Sequence, residues 1–68
     1  MSLEASMSLG RETAERYVRV PYAQRPARVD VLRESTLEMN TAEFVAFVKG
    51  FFGVLDAYEE AHGPGALR

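Results

Sequence analysis

Residues 40–63, NTAEFVAFVKGFFGVLDAYEEAHG, decide how this chain folds. Asn40 is a good acceptor for the first free N–H groups of a helix, and Glu43, three residues on, completes a capping box. His62-Gly63-Pro64 ends the helix: glycine tolerates the turn out and proline forbids continuation. Between these signals Phe44, Phe47, Val48, Phe51, Leu55 and Tyr58 recur at the spacing of one apolar helical stripe. Ala42, Ala46, Gly50, Gly53 and Ala57 form a second line of small residues, along which another helix could approach closely. Each mid-helix glycine costs roughly 1 kcal/mol against alanine, which implies a packing reason for Gly50 and Gly53. The spacing therefore predicts a long helix near 41–62 with two adhesive faces.

The remainder of the chain bounds what that helix can do. With 68 residues there is room for one small domain. At 47% hydrophobic the chain can build a core, but one of this size supplies little net stability. There is no cysteine, so disulfide staples and cysteine–zinc sites are excluded, and nothing suggests an oxidising compartment. Met1 to Glu4 lacks a basic, then apolar, secretory pattern. The longest apolar stretch, Phe44 to Leu55, is broken by Lys49 and falls short of the about 20 residues of a membrane span. The expected location is cytoplasmic, with no membrane contact. Six arginines stand against three acids from Arg11 to Arg33, and two cations against six acids from Glu34 to Arg68. The two halves are thus complementary in charge.

Outside the long helix the reading divides the chain into three parts. Residues 1–10, small and polar, are expected to be a flexible tail, and residues 63–68 a second one. The domain is then 11–62. Its first element is short: Arg16-Tyr17-Val18-Arg19-Val20 fits a strand, or the end of a helix begun near Arg11, and Pro21 closes either. Pro21 to Pro26 is a loop. From Pro26, Val29, Leu32, Arg33, Thr36 and Leu37 follow helical spacing, which favours a helix near 26–38 over a strand at 28–32 paired with 17–20. The expected class is mainly α, with oligomeric helical packing. The α+β alternative has the element order strand, helix, turn, helix, and so resembles the ribbon-helix-helix repressors. That resemblance implies a dimer whose paired strands read DNA, with Arg16 and Arg19 near it. The long Pro21–Gln24 loop, the acidic second helix and the net charge of −2 depart from the pattern and argue against nucleic acid as partner.

Chemistry-bearing patterns are few. Glu59-x-x-His62 places two possible metal ligands on one helix face, the spacing used in carboxylate-bridged di-iron bundles. Glu43, Glu38 or Glu34 could supply further ligands from a second copy. The pair lies in the last helical turn, however, where a charged His62 interacts favourably with the helix dipole. No metal site, cofactor site or catalytic residue is therefore assigned. One histidine serves the whole chain, and no nucleophile-elbow or phosphate-loop pattern occurs. The expectation is an assembly module or regulatory subunit rather than an enzyme. Its partner is itself, in a homodimer or higher oligomer, or a larger protein. The expected interface is Phe44, Phe47, Val48, Gly50, Phe51, Gly53, Leu55 and Tyr58.

Overall fold

The computed structural model describes residues 2–67. In order these form α1 (Leu3–Arg19), a 3-10 turn (Tyr22–Gln24), α2 (Arg28–Ser35) and α3 (Thr41–His62). The mainly α reading holds, and no strand occurs among the described residues. The expected flexible tail at 1–10 is corrected: from Leu3 onward those residues are the first half of α1. Ser2 caps the helix, its Oγ accepting from the Ala5 N–H at 3.0 Å. Residues 16–19 of the candidate strand 16–20 are its last turn, and Val20 is its cap. Pro21 then holds Val20 in extended geometry and stops the helix.

The first half of α1 was hidden from sequence reading because its buried positions are small. Ser6, Gly10 and Ala14 lie at i, i+4 and i+8 and are buried, followed by Tyr17. Gly10 lies against the backbone of Phe47 and Phe51 in α3, and Gly50 of α3 lies against the backbone of Met7 and Arg11. A Cβ built on Gly10 would run into the Phe47 carbonyl oxygen and lie 3.0 Å from the Phe51 nitrogen. One built on Gly50 would strike the Met7 carbonyl oxygen and lie 3.2 Å from the Arg11 nitrogen. The two helices thus meet backbone to backbone. Small residues permit such closeness, and dispersion rises steeply as the gap closes.

Around that contact sits the core: Ala14, Tyr17, Phe47, Phe51, Leu55 and Leu67. Phe47 and Phe51 stack at 6.1 Å, Phe51 meets Phe52 edge-on at 5.3 Å, and Tyr17 tilts onto Phe51 at 5.9 Å. Such pairs add about 0.5–1.5 kcal/mol each beyond their buried area. α3 begins as the sequence predicts: Glu43 N–H donates to Asn40 Oδ1 at 2.9 Å, and Asn40 N–H to Glu43 Oε1 at 3.0 Å. It ends at Gly63, whose φ of 96° suits glycine. A turn follows and brings Leu67 back into the core at 5% exposure, so the second expected tail is corrected as far as residue 67.

α2 is shorter than the expected 26–38. Ala27 offers its first turn no side-chain cap, and Thr36 Oγ1 bonds back to the Leu32 carbonyl at 2.6 Å where the helix ends. Residues 28–32 are helical, so the hairpin alternative falls with the strand at 16–20. α2 buries no residue fully; Val31 and Leu32, with Met39 beyond them, touch the core while half-buried.

Candidate interaction surface

The eight residues expected at an interface divide between two environments. Phe47, Phe51 and Leu55 are closed off inside the chain, at 0%, 0% and 1% exposure. Gly50 is covered by α1. The chain itself thus uses one of the two faces assigned to assembly, because α1 supplies the partner helix that the sequence reading sought in a second copy. Gly53 has nothing within 4 Å of a built Cβ, so it is no part of the close contact. Tyr58 is half-buried, and the His62 ring stacks on it at 4.1 Å.

Phe44 and Val48 keep exposed surface, as do Val45 and Phe52, the last of which also packs on the core. At about 100° per residue these four fall within one sector of roughly 100° on α3. Phe44 is 41% and Val45 44% exposed, while Val48 and Phe52 are half-buried. Exposed Lys49 and Asp56 border the sector, and exposed Thr41 closes it at the start of the helix. Val45 and Phe52 were not assigned to the interface from sequence. Their signal was present in the apolar runs Phe44-Val45-Ala46-Phe47-Val48 and Phe51-Phe52, which are wider than a single stripe.

The other candidates are dispersed. Arg16 and Arg19 are exposed on the last turn of α1, where cations suit the helix dipole. Glu59 lines an open cleft of ≈ 400 Å³ with Asp56, Glu60 and Pro64, and His62 is not part of it. The His62 Nδ1 lies 3.0 Å from the Tyr58 carbonyl oxygen, one turn back. Among the described residues no three carboxylate or imidazole groups converge to hold a metal ion. The Glu43 carboxyl is held below its ordinary pKa of 4.5, chiefly by the Asn40 N–H that donates to it.

Arg25 has a structural part that sequence reading missed. Its Nη2 donates to the carbonyls of Val18 and Val20 at 3.2 and 3.0 Å, and its Nε to Val20 at 3.3 Å. The guanidinium lies 5.4 Å from the Tyr17 ring centre and 5.9 Å from that of Tyr22. It closes the C-terminus of α1, whose last carbonyls have no helical partner. Two tyrosines and an arginine beside Pro21 and Pro26 were the available signal.

No helix among the described residues is long and apolar enough to cross a membrane. No family model, no curated protein and no solved structure matches the chain.

Proposed function

We propose that this chain acts by assembly: it is a small helical interaction module that associates with a second copy through the Phe44–Val45–Val48–Phe52 sector of α3. On this reading it serves as an adaptor or regulatory subunit and carries out no reaction of its own. The observation that supports it is the exposure of Phe44 and Val45 on α3, with half-buried Val48 and Phe52 beside them. A contiguous apolar patch with a polar border is the usual mark of an interface core. A two-fold dimer would place the same patch on both sides, so one surface suffices.

Light scattering at micromolar concentration tests the reading. The mass should exceed the 7.6 kDa of one chain, and the melting temperature should rise with concentration. Val45→Glu, at an exposed position, should return the mass to that of one chain while its helical circular dichroism persists. A wild-type mass of one chain with a concentration-independent melt sinks the proposal.

A further inference from the structure

α2 is tied down at both ends and held weakly between them. On one side, the bonds from Arg25 to Val18 and Val20 fix the preceding loop to α1, and Tyr17 Oη donates to the Pro26 carbonyl at 3.0 Å. On the other, the Asn40–Glu43 box fixes the start of α3. The segment between, Ala27 to Met39, has no fully buried residue. Its helix lacks a side-chain cap. Its Asp30–Arg33 ion pair, at 3.7 Å, is open to solvent on both sides, where such pairs contribute little. Val29 and Leu37 point outward at 58% and 76% exposure. Eight helical residues are also too few to hold a helix without packing, since isolated helices under about 12–15 residues are marginal. The α1–α3 contact, by contrast, is made by Met7, Gly10 and Arg11 against Phe47, Gly50 and Phe51, with no residue of α2 in it.

We propose that α2 is a strap that opens and closes as a unit over an intact α1–α3 pair. Opening lifts Val31, Leu32 and Met39 from the core and uncovers the apolar surface beneath them. The two anchors stay in place, so the opened segment is a tethered loop that recloses without refolding the pair. This holds whether or not copies associate through the outer sector of α3.

Native-state hydrogen exchange, followed residue by residue by NMR across low denaturant concentrations, tests it. Amides of Val31 to Ser35 should exchange at least about tenfold faster than those of Phe47 to Leu55, with a much weaker denaturant dependence. Leu32→Ala should speed exchange in α2 several-fold and leave the Phe47–Leu55 amides nearly unchanged. Equal rates and equal denaturant dependence in α2 and α3 would overturn the strap. So would a Leu32→Ala variant whose α3 amides accelerate as much as those of α2.

Discussion

α1 and α3 meet backbone to backbone, whereas α2 reaches the core only through half-buried side chains. The difference runs against a simple count of large apolar residues. α1 makes its contact with Ser6, Gly10 and Ala14, while α2 turns Val29 to solvent, with Leu37 exposed just past its end. In a protein this small, how closely two elements approach decides which of them is locked. Closeness is set by the smallest residues at the contact, because a side chain of any size there would hold the backbones apart.

The largest effect expected within the locked pair comes from its centre. Phe51 touches Tyr17, Phe47 and Phe52 and has no exposed surface. Phe51→Ala should cost about 3–5 kcal/mol, measured by urea denaturation, and leave little folded protein. A loss as small as that from an α2 truncation would erase the distinction between the regions.

Next comes the close contact itself. Gly50→Leu should cost about 3 kcal/mol, since its Cβ meets backbone that cannot move aside. Gly53→Ala, three residues further on and facing open space, should instead stabilise by roughly 0.5–1 kcal/mol through helix propensity. Opposite signs in thermal melts would confine the contact to one side of α3; equal losses would refute it.

Ser6 gives a smaller effect within the same contact. It is fully buried, and its Oγ has no hydrogen-bond partner. Size, not polarity, suits it to the place, so Ser6→Ala should be neutral or stabilising by up to about 1 kcal/mol. A clear destabilisation would mean that the hydroxyl has a partner.

The smallest effect is at the edge of α3. The Glu43 carboxyl has a lowered folded pKa, so its contribution is present above its ordinary value of 4.5. That contribution is lost as pH falls through the folded value. Melting temperatures between roughly pH 5 and 3 should fall more steeply for the wild type than for Glu43→Gln, whose amide keeps the box without titrating. Parallel curves would show that the box carries no pH-dependent stability.

The long helix was legible in the sequence from Asn40 to Gly63, to the residue at both ends. Caps, stripe and stop are local signals, and each is satisfied by neighbours in the chain. The mainly α class followed from it. The Pro21 boundary was legible too, because proline acts on the residue before it whatever surrounds it. The strand or helix question at residues 16–20 stayed open, since Tyr17, Val18 and Val20 suit either element.

What the tertiary structure decided is the identity of the partner for α3. Ser6, Gly10 and Ala14 carry no local mark of a helix in a core. Ser6 and Gly10 resemble a flexible tail until the backbone of α3 is set against them around Gly50, because a small residue gains its packing value only from a backbone brought near it. The same holds for Leu67, which is the end of a loose tail in sequence and a core residue in space. The sequence thus determined that α3 would be long, capped and apolar on more than one side. Only the three-dimensional packing determined which side the chain keeps for itself and which, at Phe44 and Val45, it leaves facing outward.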